Sequence, residues 1–488
     1  MSQVRRIARN TALLILGDVI VYAFGFVFTI YVARYLEAEG YGVLSFAIGF
    51  TAMFSILADL GMQTLISREV ARDRTLARKY IANVTSLKLV LNTIVFGLIA
   101  LIVNLLDYSS ETVFVVYLLA LSLIFTSLNG MFNGVFRGNE RMEFITLGQA
   151  VTGAVSLGGA LLVIHCGFGI IGIALVYAAG TLASLSCSLI VSSIGFVKPR
   201  IEFDPAFLKA ALAQSWPFAL ASFLFTMYYW TDTVVLSFMK GDEAVGWYNA
   251  AYRLVFVLSF IPMAYFNAIF PLMSRLHLTS RDLLRFAYER SFKYMLLLAV
   301  PIAAGTTLLA DRIIAQIFGS GFSESVLALR ILVWALVLQF PGSAFVQLFN
   351  STNRQRTTTL VVGITAICNL ILDLVLTPIY GLNGTAAATL GNVAVLIVLG
   401  YIFSASMGYR LPDRMVLFTL LRVLLASAAM AFLVMYFDSL SMYALIPLGA
   451  AIYFLVLCLV GGFDKQDVNL VRQLVQRDGV SASRGNDE

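Results

Sequence analysis

The chain has 488 residues, 60% of them apolar and only 12% charged, with a formal net charge of +6. A soluble domain carries about 25% charged residues. The composition therefore excludes a water-soluble enzyme or binding domain and points to an all-α integral membrane protein, with membrane lipids around it and no nucleic-acid partner. Cys166, Cys187, Cys368 and Cys458 are far apart, without a CxxC, and three lie in apolar runs. They read as small apolar packers, not as a disulfide or zinc framework. His165 and His277 are isolated, so no metal site and no cofactor are expected.

The first apolar run, from Ala12 to Ala33, follows Arg5, Arg6 and Arg9 as a signal peptide would. It is too long for an h-region and no small-residue cleavage site follows, so it reads as a membrane helix. A hydrocarbon core about 30 Å thick takes roughly 20 apolar residues per helix. By that rule there are fourteen spans, at approximately 11–33, 41–60, 84–106, 112–136, 143–165, 168–196, 212–239, 245–273, 289–310, 325–350, 357–378, 382–408, 415–437 and 440–462. Glu37 to Gly42 reads as a short polar hairpin between the first two. The tail from Asp464 is polar, and its end is expected to be disordered.

Lys and Arg alternate between the two sets of loops. One set holds Arg5, Arg6, Arg9, Arg68 to Lys79, Arg137, Arg141, Lys198, Arg200, Arg275 to Arg290, Arg354, Arg356, Arg410 and Arg414; the other holds little beyond Arg34, Lys240 and Arg312. The positive-inside rule then puts both termini in the cytoplasm.

An internal repeat is visible. Gly169-Ile170-Ile171-Gly172-Ile173-Ala174 matches Gly381-Leu382-Asn383-Gly384-Thr385-Ala386 at a spacing of 212, and Arg137 to Arg141 loosely matches Ser351 to Gln355 at 214. Spans 1–6 and 7–12 read as two copies of one unit, related by a pseudo-twofold along the membrane normal, with spans 13 and 14 added. The expected organisation is a six-helix lobe at 1–210, a second at 211–410, two further helices at 411–463 and a cytoplasmic tail at 464–488.

Charges inside the bilayer are costly and usually face a cavity or a partner. Asp18, Asp232, Arg253 and Asp373 lie deep in their spans, whereas Lys88, Arg330 and Arg422 lie nearer the ends, where long side chains snorkel. Asp232 and Arg253 fall at equal depth on consecutive antiparallel spans, which predicts an ion pair. Such a pair is either structural or a cation released to bind an anionic substrate. Polar residues recur every third or fourth position as Thr365, Asn369, Asp373, Thr377, as Asn129, Asn133, Arg137, and as Gln339, Ser343, Gln347, Asn350. These stripes predict a hydrated interior over simple interhelical bonding. Asp59 and Arg68 flank the cytoplasmic end of span 2. The sign-alternating run from Arg68 to Lys79 predicts an amphipathic helix on anionic headgroups, with a gating role as a hypothesis. No GxxxxGK[ST] is present, so transport would run on an ion gradient, the membrane potential or the substrate gradient.

Four short matches in order, Ala33-Arg34-Tyr35-Leu36, Glu39-Gly40-Tyr41-Gly42, Ala58-Asp59-Leu60-Gly61 and Arg68-Glu69, carry a resemblance. Asn369, Asp373, Pro378, Gly381, Gly384, Thr385 and the run Ala386 to Ala388 add to it. The chain resembles the polysaccharide and oligosaccharide flippases, in the larger group that holds multidrug antiporters and lipid II flippases. The resemblance implies a flippase, not an enzyme, that moves a polyprenyl-diphosphate-linked oligosaccharide across the cytoplasmic membrane by alternating access, for surface polysaccharide or glycan synthesis. A polysaccharide polymerase or glycosyltransferases of the same pathway are the expected protein partners. Arg253, Arg330, Arg34, Asn133, Gln347 and Asn369 are the substrate-binding candidates; Asp18, Asp59, Asp232, Asp373 and Arg68 are the gate or ion-coupling candidates. The rivals are a cation-coupled multidrug exporter and a membrane glycosyltransferase with Glu37 and Glu39 as its acidic motif. The membrane arginines argue against the first, and the lack of a large external domain against the second.

Overall fold

The computed structural model describes residues 3–197 and 201–462, with side chains from residue 24 onward except at 413. The Asp18 side chain and the tail from 464 lie outside the described residues. Sixteen α-helices make up the described chain. They begin with α1 (Gln3–Met53), α2 (Ser55–Asp59), α3 (Met62–Arg72), α4 (Leu76–Leu105), α5 (Ser110–Gly138), α6 (Met142–Cys166), α7 (Gly169–Gly195) and α8 (Pro205–Lys240). Then come α9 (Asp242–Leu258), α10 (Phe260–Thr279), α11 (Arg281–Ile317), α12 (Ser325–Ser351), α13 (Gln355–Tyr380), α14 (Leu382–Ser406), α15 (Asp413–Tyr436) and α16 (Met442–Leu459). Among the described residues, twelve helices are long and apolar enough to cross a membrane. A pair bent by 44°, Phe24–Met53 with Ser55–Arg72, brings the number up to 13. The protein is an all-α, multi-pass membrane protein.

The chain divides into two compact units. One holds Met1–Ala264, Ile314–Leu332 and Gln355–Leu396; the other holds Tyr265–Ile313, Val333–Arg354 and Ile397–Glu488.

In the first unit, the chain reverses within α1. Gly153 and Arg253 lie beside Phe24 and Thr29, and Tyr35 Oη accepts from the Gly169 amide. Past Glu37 the neighbours run from the start of α9 back along α8: Gly42 sits on Asp242 of α9, Gly49 on Trp230 and Gly61 on Ser215 of α8. The expected six-residue hairpin is in fact one non-helical residue, Glu37, at φ 56° and ψ −170°. Residues 38–42 stay helical because they pack backbone to backbone on α9. A Cβ on Gly42 would lie 1.7 Å from Asp242 O, and one on Gly246 would lie 1.9 Å from Ala38 O. The two contacts are reciprocal, each glycine meeting the carbonyl four residues before the other, so neither helix can carry a side chain there.

At the other end of this stretch, Leu60 and Gly61 are both left-handed, with φ 49° and 73°. They turn the chain into α3. Met62, Leu65, Ile66 and Val70 of α3 are fully buried in a core with Tyr80 and Ile81 of α4 and Phe132 and Phe136 of α5. Gly134 and Gly138 of α5 open the space for Ile66 and Val70. The expectation of a helix lying on headgroups is corrected on this point: the helix covers 62–72, and its apolar stripe is spent on protein. Beyond it, the Thr75 hydroxyl and amide donate to Asp73 and hold that carboxyl below its ordinary range.

In the second unit, α15 and α16 pair with each other, and their apolar faces pack on α11. Leu297, Val300 and Leu309 of α11 share a core with Val423, Met430, Leu445 and Tyr453, and Tyr453 Oη donates to Leu297 O at 2.7 Å. Arg312 donates to the carbonyls of Asp438 and Leu440 and closes the α15–α16 turn.

The two sequence matches carry matching backbone. Glu140 and Asn353, 213 positions apart, both have φ 59° and end helices. Next to them, Arg141 N donates to Phe136 O and Arg354 N to Phe349 O, at 2.9 and 2.8 Å. Gly169 and Gly381 have φ 63° and 60°, at the starts of α7 and α14. The cysteines are free, but Cys166 and Cys458 are exposed. They face the surface of an apolar helix instead of packing in a core, which corrects the expectation for those two.

Candidate functional site

Three polar clusters lie within the first unit. The first is built on Asp232 of α8, which is 4% exposed. Its carboxylate accepts from Tyr248 Oη at 2.6 Å, from Thr389 Oγ1 at 2.7 Å and from the Asn369 amide. Asn369 Nδ2 also lies 3.3 Å from Asp373 Oδ2, so one amide bridges two carboxyl groups. Asp373, Thr377 and Thr385 are fully buried, and the two threonines pair at 2.9 Å. The every-fourth-residue stripe on α13 puts Asn369 and Asp373 on the face that meets α8.

The expected Asp232–Arg253 ion pair is not formed among the described residues, since Asp232 is taken up by the three donors above. The reason is rotational. Tyr248 of α9 faces Asp232, and Arg253, five residues on, is turned about 140° round the helix. It faces α1 instead, and its Nε lies 3.3 Å from Thr29 Oγ1.

The second cluster is the chamber into which Arg253 projects. Its volume is about 370 Å³, and it is lined by α1, α5, α6, α7 and α9. Asn129 and Asn133 come from α5, Gln149, Thr152 and Ser156 from α6, and Tyr177, Thr181 and Ser184 from α7; Phe24 and Phe28 of α1 form an apolar wall. Arg253 is the one charged side chain in that lining among the described residues. Phe28 and Tyr177 meet edge to face at 5.2 Å. Asn129 Nδ2 donates to Ser184 Oγ at 3.0 Å. Gly180 allows α6 and α7 to close on each other, since a Cβ there would lie 2.7 Å from Ser156 Oγ.

The third cluster is an ion pair at the break between α2 and α3. Lys88 Nζ lies 2.5 Å from Asp59 Oδ1 and 2.5 Å from Ser127 O. Lys88 is fully buried, which corrects the snorkelling expectation. Ser127 Oγ donates to Ala58 O at 2.8 Å, so the pair ties α2, α4 and α5 together.

The remaining candidates lie elsewhere. Arg34 donates to Ile317 O at 2.7 Å and to Gln316 O, at the carbonyl end of α11, where a cation suits the helix dipole. Arg68 donates to Glu69 and Gln214, each at 2.7 Å, and joins α3 to α8. Arg330 is half-buried on α12 and is not among the chamber residues. Gln347, in the second unit, donates to Phe266 O at 3.1 Å. The structure thus brings Asn133 to Arg253, and Asn369 to Asp232 and Asp373. Sequence reasoning missed Tyr248, Thr389 and the α6 and α7 lining. Thr389 was visible as the fourth residue after Thr385; Gln149, Thr152 and Ser156 were visible as a stripe on span 5.

The apolar helices and these polar interiors define a multi-pass membrane transporter. The chain belongs to the polysaccharide biosynthesis protein family, whose model matches residues 7–277; the MatE family model matches residues 217–379. It is therefore a member of the superfamily of polysaccharide flippases and multidrug transporters. It is similar to the probable flippase AglR of Haloferax volcanii, 26% identical over 401 residues, covering 79% of this chain and 80% of that one. A probable low-salt glycan biosynthesis flippase of the same organism is 23% identical over 397 residues, covering 80% and 82%. In fold it is similar to the lipid II flippase MurJ in an inward closed conformation, with a TM-score of 0.75 at 17% identity over 94% of this chain and 99% of that one. An inward-facing multidrug resistance MATE family transporter has a TM-score of 0.65 at 16% identity, over 79% and 94%.

Proposed function

We propose that this protein flips a polyprenyl-diphosphate-linked oligosaccharide from the cytoplasmic to the outer leaflet of the cytoplasmic membrane by alternating access. The glycan would go to surface polysaccharide or glycan synthesis, next to a polymerase or glycosyltransferases of the same pathway. The observation that carries this reading is the chamber, where, among the described residues, one arginine sits among amides and hydroxyls in a member of a polysaccharide family. A diphosphate needs a cation, and a sugar head needs hydrogen-bonding groups in a hydrated space. Relatives along most of the chain are named as probable flippases, which supports the same assignment.

In this reading the chain crosses the membrane fourteen times with both termini in the cytoplasm. The matched left-handed turns at 140 and 353 and at 169 and 381 support two six-helix lobes, 1–210 and 211–410, followed by two further helices. Arg253 and Asn133 contact the substrate. Asp232 and Asp373, bridged by Asn369, form the ion-coupling pair. Asp18, Asp59 and Arg68 act as gate groups, Asp59 by tying α2 to α4 and α5 through Lys88 and Arg68 by joining α3 to α8. Arg34, Arg330 and Gln347 are assigned no contact in the chamber.

The test is the sidedness of lipid-linked oligosaccharide in vesicles from the source cell, with and without the protein. Accumulation on the cytoplasmic leaflet in its absence is the expected result; unchanged sidedness would overturn the reading. The MatE match favours a second reading, export of organic cations. The cationic chamber opposes it, and dye efflux by expressing cells would support it.

A further inference from the structure

The chamber offers more than a cation. Asn129 of α5 spends its Nδ2 on Ser184, and its Oδ1 is a buried carbonyl without a partner among the described residues; Gln149 Oε1 of α6 is another. A buried acceptor left unpaired costs free energy that a donor in the right place recovers. The terminal torsions of Asn and Gln are soft and roughly two-fold, so either oxygen can turn to the chamber without leaving its rotamer. Opposite these amides stands the apolar wall of Phe24 and Phe28, and Arg253 has its terminal nitrogens beyond the one used on Thr29. The volume, about 370 Å³, is in the range of small-ligand pockets.

We propose that this chamber is a sugar-reading subsite selective for an acetamido sugar in the glycan head. An acetamido group carries an N–H donor, a carbonyl acceptor and a methyl. The N–H goes to Asn129 Oδ1 or Gln149 Oε1, the carbonyl to a lining hydroxyl such as Thr152 or Thr181, and the methyl to Phe24 and Phe28. A sugar with a bare hydroxyl at the same carbon leaves the apolar wall uncovered and one polar group unpaired. A site built to hydrogen-bond a group discriminates strongly against the analogue that lacks it. Asn129 and Gln149 thus set which head is carried, while Arg253 serves every diphosphate. The proposal rests on the flippase reading above.

The experiment uses the full chain in proteoliposomes with two probes, a polyprenyl diphosphate bearing one 2-acetamido-2-deoxyhexose and the same lipid bearing the parent hexose. The wild type is expected to flip the acetamido probe about tenfold faster. Asn129→Leu and Gln149→Met are expected to remove most of that preference by slowing the acetamido probe alone, whereas Arg253→Gln slows both probes alike. The two amides sit on different helices, so a variant that fails to fold leaves the other to decide. Equal wild-type rates for the two probes, or variants that slow both in proportion, would overturn the subsite while leaving the flippase standing. A wild type that moves neither probe would instead count against the flippase reading and take the subsite down with it.

Discussion

Lys88 Nζ and Asp59 Oδ1 are 2.5 Å apart, yet the two partners are unequally placed: the lysine side chain is fully buried and the aspartate side chain keeps 28% of its surface exposed. Removing one partner of a buried pair strands the other, at a cost of about 3–5 kcal/mol when the stranded charge has no water. Asp59→Asn strands a lysine with no access to water, whereas Lys88→Met strands a carboxylate that still reaches it. Asp59→Asn is therefore expected to lower thermal stability in detergent by about 3 kcal/mol, and Lys88→Met by clearly less. Equal losses would mean that the pair is not what fixes the break between α2 and α3.

Gly42 and Gly246 make a second pair whose effect is purely steric. A methyl on either would sit inside the contact distance of a backbone carbonyl, which cannot swing away as a side-chain tip can. Gly42→Ala and Gly246→Ala should each cost roughly 1–3 kcal/mol, the usual penalty for overpacking. Gly97 of α4 is the control. Nothing lies within 4 Å of a Cβ there, and Gly97→Ala gains helix propensity of up to about 1 kcal/mol. Monodisperse yield and melting temperature of the three variants separate a close helix crossing from a general intolerance of glycine replacement.

How far the sequence could be read follows from which forces act along one helix and which act between helices. Long apolar helices and the polar stripes on α5 and α13 are local patterns of hydropathy, and they appear in the structure, whereas the hairpin expected at Glu37 to Gly42 shrinks to one residue. Partner choice is not local. Equal depth suggested Arg253 for Asp232, but depth says nothing about azimuth, and it is Tyr248 that faces the carboxylate. Lys88 read as a snorkelling residue because its distance from the span end was the only available clue; its burial depends on Ser127 of another helix. The amphipathic helix expected over Arg68 to Lys79 lies at 62–72 instead, and a hydropathy pattern cannot tell a lipid surface from a protein core. What distinguishes them is Gly134 and Gly138, two small residues on α5 whose purpose appears only once Ile66 and Val70 are seen against them.

That distinction for α3 is itself testable. Val70 is fully buried, whereas the Arg72 side chain is 67% exposed. Val70→Asp would bury a carboxylate without a partner and is expected to abolish accumulation of the protein. Arg72→Glu loses an exposed pair with Glu69 and should change stability by no more than about 1 kcal/mol. If α3 instead rested on anionic headgroups, Arg72→Glu would weaken its membrane contact in proportion to anionic lipid content, and Val70→Asp would be mild. Expression levels and melting in vesicles of varied phosphatidylglycerol content tell the two apart.

Asp232 and Asp373 share the amide of Asn369, and this sharing carries the last prediction. Two carboxyl groups held by one donor repel each other when both are ionised, and a bound cation or a proton relieves that repulsion. Either carboxyl alone would lack it. Asp232→Asn and Asp373→Asn are therefore each expected to remove the acceleration of transport by an imposed proton or sodium gradient. The two should differ in stability. Asp232→Asn presents an amide to Tyr248, Thr389 and Asn369, three donors that now meet an N–H as well as an oxygen. Asp373 accepts from Asn369 alone among the described residues, so its replacement disturbs fewer groups. Hydrogen bonds to charged groups contribute about 1.5–3 kcal/mol each, and Asp232→Asn should melt earlier than Asp373→Asn by at least one such bond. Gradient-driven flipping in proteoliposomes checks the coupling and detergent melting checks the bonding. A variant of either carboxyl that keeps full gradient dependence would remove that group from the coupling pair, whatever its effect on stability.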